Sequence, residues 1–253
     1  MPTRNAPDHA VALITDAASA VGRAIALALA LQGWRLALHH QEEQAPAALT
    51  ALLQECEALG VKAAAVRCRL DDEKDIAALL PAVAAALGAV RCLVNNASHI
   101  EHDTAAAFSP AGLARHMQAN LAAPLQLAQE LHAATLKHPG AQAVVINLLD
   151  QKLFNPQPDF LSYTLSKAAL HSATTLLAQA FAPQVRVAGI APALPAAGPA
   201  IDSAALEDIA ATVCFVAASS AITGSTLLVD GGRHLHPHSR DKSAATGPLF
   251  QPH

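Results

Sequence analysis

The sequence has few aromatic residues, few charges and no run of positive charge. Only 3% of its 253 residues are Phe, Trp or Tyr, and Ala is the commonest residue, which favours closely packed helices over a β-sandwich of large side chains. A formal net charge of −4 argues against a nucleic-acid partner, because phosphate neutralisation needs a basic surface. A 53% share of hydrophobic residues excludes intrinsic disorder.

The sequence also lacks paired cysteine motifs and long apolar runs. Residues 1–10 have no apolar core of a secretory signal, and the apolar run at residues 24–31 is about a third of a bilayer span. We therefore expect a soluble, cytoplasmic protein with no membrane partner. Four scattered cysteines without a C-x-x-C pair favour reduced packing thiols over disulfides or a zinc site: Cys56, Cys68, Cys92 and Cys214.

Histidine is abundant, with 13 residues, but its pattern does not predict a metal site. The most suggestive spacing, His234-x-His236-x-His238, lies in a tail that contains proline and carries no cysteine or carboxylate at zinc spacing. We expect no bound metal.

Short apolar runs alternate with long Ala/Leu-rich stretches, the pattern of a parallel sheet covered by helices on both faces. The sequence predicts one α/β domain at residues 1–233, a Rossmann-type doubly wound sheet of about seven strands, followed by a C-terminal extension at residues 234–253. Four glycines fall where a helix ends and favour a left-handed backbone: Gly33, Gly60, Gly88 and Gly140. The predicted strands are Ala10–Thr15, Arg35–His39, Lys62–Cys68, Arg91–Asn95, Ala143–Leu149, Val185–Ile190 and Thr226–Val229.

The first predicted strand leads into the loop Thr15-Asp16-Ala17-Ala18-Ser19-Ala20-Val21-Gly22 and then a helix. In a doubly wound fold a pyrophosphate binds here, on free N–H groups of the helix N-terminus. Ser19 can cap the helix or donate to a phosphate, and Gly22 permits close packing, whereas Asp16 puts a carboxylate where an anion approaches. An ordinary strand–helix turn explains this loop equally well.

Two consecutive asparagines, Asn95 and Asn96, precede Ala97 and Ser98 at the end of the fourth predicted strand. Ligands collect at this edge of open α/β sheets. The asparagine side chains can fix the local backbone by hydrogen bonds, and a simple Asx turn is the alternative interpretation.

The only tyrosine in the chain, Tyr163, lies four residues before Lys167 on a predicted helix, so both project from one face. A cation beside a phenol stabilises the phenolate and lowers the phenol pKa, which makes the hydroxyl a usable proton donor near neutral pH. A packed tyrosine beside an exposed lysine is the alternative that spacing alone leaves open.

Together these motifs resemble the short-chain dehydrogenase/reductase family over nearly the whole length from Val11 to Gly232. The resemblance adds Asn120 in a long helix, Ser166 in the pattern Tyr163-x-x-Ser166-Lys167, and the closing Val229-Asp230-Gly231-Gly232. It implies a seven-stranded Rossmann-type sheet, with Tyr163 as proton donor, Lys167 binding the nicotinamide ribose and tuning Tyr163, and Asn120 holding a relay water. It also implies a homotetramer built through the helices around Asn120 and Phe160–Phe181.

The same resemblance implies an NADP(H) cofactor. The residues that it places at the cofactor are Thr15, Ser19, Val21, Gly22, His39, Leu70, Asn95, Asn96, Ala97, Tyr163, Lys167 and Pro192.

Asp150 stands where this family usually has a serine, thirteen residues before the tyrosine. An ionised aspartate repels the developing negative oxygen of a ketone, but suits a nitrogen heterocycle with N–H donors or one that is protonated during reduction. Asp150 with Asn-Asn-Ala-Ser resembles the pteridine reductase branch, including dihydrofolate and dihydromonapterin reductases. A strand-end residue that caps the next turn is the alternative.

Several positions depart from that branch. Ala20 replaces an arginine in the first loop, Ile100 replaces the aromatic residue that stacks on the pterin, and Arg69 stands where an acidic residue meets adenine, with Asp71 close by. After the second strand, His39-His40-Gln41-Glu42-Glu43 replaces an Arg-Ser pair, and its two glutamates disfavour a 2′-phosphate, so NADH becomes an alternative cofactor and binding becomes weaker. The substrate lid that begins at Pro192 is short.

The candidate substrate contacts are Ser98, His99, Ile100, Asp150, Phe160 and Tyr163, with Phe154 as a further aromatic surface. The sequence favours a nicotinamide-dependent reductase that transfers hydride to a pterin or dihydrofolate-like substrate, with Asp150 and Tyr163 relaying the proton. Two alternatives stay open: a homologue without catalysis or tight cofactor binding that serves as an oligomeric scaffold, and a reductase of another carbonyl or imine.

Overall fold

A computed structural model describes residues 10–194 and 201–235. Its centre is one sheet of seven parallel strands in the order β3-β2-β1-β4-β5-β6-β7. The strands are β1 (Val11–Ile14), β2 (Arg35–His40), β3 (Ala63–Arg67), β4 (Val90–Asn95), β5 (Ala143–Leu148), β6 (Val185–Pro192) and β7 (Thr226–Val229).

Helices cover both faces of this sheet. They are α1 (Ala20–Leu31), α2 (Ala47–Ala58), α3 (Glu73–Leu87), α4 (Pro110–Met117), α5 (Ala123–Leu136), α6 (Leu161–Phe181) and α7 (Ser203–Ala218). Helices α1, α2 and α7 share one hydrophobic cluster with the sheet, and α3 and α5 share another on the opposite face.

The sheet is sandwiched because its strands are apolar on both sides. In β1, Ala12 and Ile14 face the cluster with α1 and α7, whereas Val11 and Leu13 face the cluster with α3 and α5. Successive side chains of a strand point to opposite faces, so a fully buried parallel strand needs a continuous apolar run.

The predicted fold class is confirmed, and every predicted strand exists with boundaries shifted by at most two residues. The largest shift extends β6 from Ile190 to Pro192, because Pro192 pairs with Val229 of the edge strand β7. All four predicted helix-ending glycines have positive φ, and all four cysteines are buried free thiols. The predicted C-terminal extension lies outside the described residues from residue 236 onward.

The direction of chain progression across the sheet reverses between β1 and β4, which are neighbours. At such a switch point the loops that follow the strands diverge and leave a crevice at the carboxyl edge. The loops after β1, β4 and β5 therefore converge on the candidate site. Among the described helices, none combines the length and hydropathy needed to cross a membrane.

Candidate active site

Tyr163 and Asp150 form the centre of the site. The Tyr163 hydroxyl donates a hydrogen bond of 2.9 Å to Asp150 Oδ2. Asp150 lies two residues after the end of β5, and Tyr163 lies in the first turn of α6. Both residues are buried, with 3% and 6% of their surface exposed. The structure thus brings together the two groups that the sequence assigned to proton transfer.

Lys167 lies one turn further along α6 and is also buried. Its Nζ donates to the Leu148 carbonyl at 2.8 Å and lies 5.8 Å from the centre of the Tyr163 ring. Burial lowers the pKa of Lys167 to about 8, and the Asp150 charge opposes that shift. The predicted Tyr–Lys pair therefore shares one environment, with the ammonium beside the ring and anchored to the strand.

The prediction that the phenol is made acidic is wrong. Burial, followed by the charge of Asp150 and the hydrogen bond to it, raises the pKa of Tyr163 well above its usual value, and a hydrogen bond with Ser98 only partly opposes this. The prediction included the effect of Lys167 on the phenol pKa. It left out the burial of the phenol and the hydrogen bond that Asp150 accepts from it. Tyr163 therefore stays protonated throughout the neutral range.

Asn120 lies in a π-helical turn, Gln118–Ala122, that interrupts the passage from α4 to α5. Its side chain accepts a bond of 2.7 Å from the His99 amide and donates to the His99 carbonyl and to Ser166 Oγ. π-Helical turns inside helices occur often at functional sites. Asn120 thereby ties the segment after β4 to the catalytic helix α6, while its role in holding a relay water stays a prediction.

Asp150 also organises the turn that follows β5. It caps the short 3₁₀ turn Gln151–Leu153 by accepting the Lys152 amide at 2.8 Å on Oδ1, and Lys152 Nζ lies 3.3 Å from Oδ2. The alternative interpretation of Asp150 as a capping residue is therefore correct as well. The sequence analysis missed Lys152, because a lysine two residues after an aspartate matches no motif.

The start of α6 is held by Asp103, another residue that the sequence analysis missed. Its carboxylate accepts the Ser162 amide at 3.0 Å and makes a very short contact with the Ser162 hydroxyl. Phe160, at the N-cap position, has a left-handed backbone with φ of 60°, and its amide bonds to the Asp103 carbonyl. The predicted substrate residue Phe160 thus joins the catalytic helix to the loop after β4, where His102 packs edge-on against its ring.

The loop between β1 and α1, predicted to bind the pyrophosphate, is held by side-chain hydrogen bonds. Ser19 caps α1 by accepting the Gly22 amide at 3.1 Å. A Cβ atom at Gly22 would lie 2.4 Å from the Asp16 carbonyl, so only glycine permits this approach of the helix to the loop. Asn96 Nδ2 donates to the carbonyls of Thr15 and Asp16 and to Ser19 Oγ.

Thr15 connects this loop to the end of β4, because its Oγ1 accepts the amides of Asn96 and Ala97. Asn95 is buried and donates to Asn147 on β5. These predicted cofactor residues therefore hold the neighbouring loops together, and Val21 packs in the core.

His39 is fully buried at the end of β2. Its Nδ1 accepts the Asp16 amide at 3.1 Å, and its Nε2 bonds to the Cys68 carbonyl at 3.0 Å, which together fix the neutral form with the proton on Nε2. Burial lowers the pKa of His39 to about 4. His39 thus contacts the loop between β1 and α1. It holds Asp16 in its left-handed conformation with φ of 51°.

A cleft of about 370 Å³ opens beside these loops. Leu70, Ala97, Ser98 and His99 were predicted as contacts and line the cleft, and it is also lined by Asp16, Gln41, Asp71, Arg115, Gln118 and Ala119. Asp71 pairs with Arg69 at 3.2 Å. Loss of surrounding water and the nearby Glu42 charge raise the pKa of Asp16, although the residue reaches the surface.

The remaining predicted contacts are less enclosed. Ile100 is 37% exposed and Phe154 is 39% exposed, and Phe154 packs edge-on against His171. Pro192 ends β6, but the lid that was expected to begin there lies largely outside the described residues. His236 and His238 also lie outside them.

Known proteins are similar to this chain in sequence and fold over most of their length. Residues 10–202 match the family described as short chain dehydrogenase. FolM alternative dihydrofolate reductase 1 from Brucella canis, solved in complex with NADP, is 31% identical, with a TM-score of 0.80 over 92% of this chain and 98% of that one. Two curated relatives are each 28% identical. Dihydromonapterin reductase from Klebsiella pneumoniae aligns with 88% of this chain over 96% of its own, and 3beta-hydroxysteroid dehydrogenase 1 from Eggerthella lenta with 89% over 94%. The chain belongs to the short-chain dehydrogenase family and is a short-chain oxidoreductase.

Proposed function

We propose that this oxidoreductase reduces a carbon–nitrogen double bond of a pterin or dihydrofolate-like ring. The bound dihydronicotinamide supplies a hydride, two electrons and a proton, to the ring carbon and is thereby oxidised. One further proton goes to the ring nitrogen, so the C=N bond becomes CH–NH. The observation that carries this proposal is the buried hydrogen bond of 2.9 Å between Tyr163 and Asp150.

The carboxylate favours a nitrogen ring over a ketone. A ketone oxygen gains negative charge as hydride arrives, and an ionised Asp150 beside it raises the energy of that state. A pterin presents amino and ring N–H donors, which a carboxylate accepts strongly. Dihydromonapterin reductase and the Brucella dihydrofolate reductase are relatives whose names carry the same substrate class.

Tyr163 provides the proton. Its raised pKa keeps the phenol protonated at neutral pH, and the ring nitrogen becomes far more basic than a phenolate once hydride has been added. Lys167 holds its ammonium near the ring face, where it stabilises negative charge on the phenol oxygen. Asp150 orients the phenol and, with it, forms the proton relay.

The residues around the cleft fit a nicotinamide dinucleotide. The capped N-terminus of α1, with its close approach at Gly22, faces the pyrophosphate position, and Ser19 and Asn96 shape the turn. Lys167 would hold the nicotinamide ribose, and the cleft between Leu70 and Ala97 would hold adenosine.

The charges near this cleft bear on the choice between NADPH and NADH. Glu42 Oε2 bonds to the amide of the cleft residue Gln41 at 3.1 Å, and its charge reaches Asp16. A 2′-phosphate in this region meets carboxylates, with His40 and Arg67 as the neighbouring basic groups. We therefore propose that NADH is used as well as NADPH.

The proposal is tested by following oxidation of NADPH and NADH in the presence of dihydropterin, dihydrofolate or an open-chain ketone. We expect turnover with a dihydropteridine and at most slow turnover with the ketone. Efficient reduction of the ketone and none of the pteridines would replace this proposal with a reductase of another carbonyl, and the absence of cofactor binding would favour the scaffold alternative.

We also propose a homotetramer assembled through the outer surfaces of α5 and α6. These helices expose large apolar side chains: Leu136, Leu165 and Leu176 are 55%, 44% and 64% exposed. Large exposed apolar side chains on helices are consistent with protein–protein contacts. Sedimentation of the full chain as a tetramer would support the proposal, and a monomer would contradict it.

A further inference from the structure

The site contains a second buried lysine, Lys152, in addition to Lys167. Only 7% of the Lys152 side chain and 4% of the Asp150 side chain are exposed, and Lys152 Nζ lies 3.3 Å from Asp150 Oδ2. Lys167 donates instead to the Leu148 carbonyl. The ammonium in direct contact with the catalytic carboxylate is therefore that of Lys152.

The turn after β5 brings residue 152 back over residue 150. Because Asp150 caps this 3₁₀ turn, the Lys152 amide bonds to Oδ1 at 2.8 Å while the side chain of the same residue reaches Oδ2. The Tyr163 hydroxyl donates to Oδ2 as well. Lys152 thus contacts both carboxylate oxygens of Asp150, Oδ1 through its amide and Oδ2 through its ammonium. Oδ2 also accepts the hydrogen bond of the Tyr163 phenol.

A carboxylate at this depth needs a counter-charge. Desolvation makes an unpaired buried carboxylate take up a proton, and removing one partner of a buried ion pair is strongly destabilising. Lys152 Nζ and the Tyr163 hydroxyl both contact Asp150 Oδ2. The orientation of the Tyr163 hydroxyl therefore depends on the ion pair between Lys152 and Asp150.

We propose that Lys152 is a positioning residue for proton transfer, whose ammonium pairs with the Asp150 carboxylate and holds it turned towards Tyr163. In this arrangement the carboxylate accepts the hydrogen bond of the phenol and offers an acceptor to a ring N–H group. The last of these effects rests on the proposed pterin chemistry, whereas the effect on Tyr163 does not.

The test uses Tyr163 itself as the probe. Since the chain has one tyrosine, an isotopic label at the tyrosine Cζ atom gives a single NMR resonance that reports the hydrogen bond to Asp150. In the wild-type protein this resonance has the position of a phenol that donates to a carboxylate. In Lys152→Met, which keeps the backbone amide bond to Oδ1, we expect the resonance to move from its wild-type position towards its position in Asp150→Asn, because the carboxylate is no longer held in line with the phenol.

Lys152→Arg is the matched control, since it retains the charge, and its resonance should lie near the wild-type position. Asp150→Asn supplies the reference in which the carboxylate is absent. A resonance at the wild-type position in Lys152→Met, or a Lys152→Arg protein that behaves like Lys152→Met, would overturn the proposal.

Turnover supplies a second, separate readout. With dihydropterin as substrate, Lys152→Met should lower kcat by about ten-fold or more, with KM for the dinucleotide within about two-fold of wild type. A fall in dinucleotide affinity with kcat intact would contradict a positioning role. If the wild-type protein reduces no pteridine, the proposed function fails, and the NMR resonance of Tyr163 still decides the role of Lys152.

Discussion

The Tyr163 hydroxyl and Asp150 Oδ2 lie 2.9 Å apart in the interior of the domain, with the phenol as donor and the carboxylate as acceptor. This contact joins the end of the central strand β5 to the first turn of α6. It holds the phenol in its protonated form and gives the reacting proton a defined direction. The proposed proton transfer and the proposed substrate class both rest on it.

Removal of the phenol oxygen should abolish reduction without unfolding the protein. In Tyr163→Phe, Asp150 retains its contacts with Lys152, so the carboxylate stays paired. We expect kcat to fall by at least about 100-fold, the range of a lost general acid, while dinucleotide affinity stays near wild type. Steady-state kinetics with a binding titration measures both, and wild-type turnover in this variant would refute the assignment of Tyr163.

The alkaline limb of activity should belong to Lys167. Burial lowers the pKa of Lys167 to about 8, whereas that of Tyr163 is raised, so the ammonium is lost first as pH rises. We expect kcat/KM, which reports the free enzyme, to decline above about pH 8.

Lys167→Arg serves as the control for this assignment, because a guanidinium stays charged throughout this range. Any activity that survives in this variant should lack the limb. A limb at the same pH in Lys167→Arg would assign it to another group.

His39 should make the folded protein sensitive to mild acid. Its pKa falls from 6.5 to about 4 on burial. Between these pH values His39 binds a proton in the unfolded chain but not in the native state. The free energy of unfolding therefore decreases as pH falls from 6.5 to 4. The full decrease in the free energy of unfolding is about 3 kcal/mol. Above pH 6.5 His39 causes no decrease.

Urea unfolding at several pH values measures this loss. His39→Gln, which has no titrating group, should be less stable than wild type at neutral pH but should lose less stability between pH 6.5 and 4. Asp72, Asp103 and Asp230 have lowered pKa values, and their stabilising effects are lost only at pH below about 3.8. Equal acid sensitivity in both proteins would contradict the His39 account.

Glu42 should discriminate against the 2′-phosphate of NADPH. Its charge acts on Asp16 beside the cleft, so replacing it with a neutral amide removes repulsion. In Glu42→Gln we expect the ratio of NADPH affinity to NADH affinity to rise about five-fold.

Glu43→Gln provides a matched control for this change. The Glu43 side chain is 91% exposed and lies 3.9 Å from Arg67. Because water screens it more strongly, its removal should change the ratio less. An unchanged ratio in Glu42→Gln would place the phosphate position away from this residue.

The fold could be predicted because its determinants are local. Apolar runs such as Val144–Ile146 are buried on both faces, and turns such as the one at Gly33 need a left-handed residue, so sequence pattern and structure coincide. Strand ends were less certain because they depend on partners: β6 reaches Pro192 only because β7 runs beside it.

The site was predicted only in part. The helical spacing of Tyr163 and Lys167 and the position of Asp150 at a strand end are visible in the sequence. The contact between Asp103 and Ser162 spans 59 residues, and that of His39 with Asp16 joins two strand ends, so neither leaves a local pattern. The pKa of Tyr163 was predicted in the wrong direction because burial of the phenol and, after it, the contact with Asp150 raise it, and neither is visible in the sequence.

Replacement of Asp150 tests the central claim most directly. Reduction of dihydropterin should be measured in the wild-type protein, in Asp150→Asn and in Asp150→Ser, which carries the side chain that ketone reductases of this family use. We predict that both variants lose pteridine reduction by about 100-fold or more while still binding the dinucleotide. Reduction of the pteridine by Asp150→Asn at the wild-type rate would contradict the account.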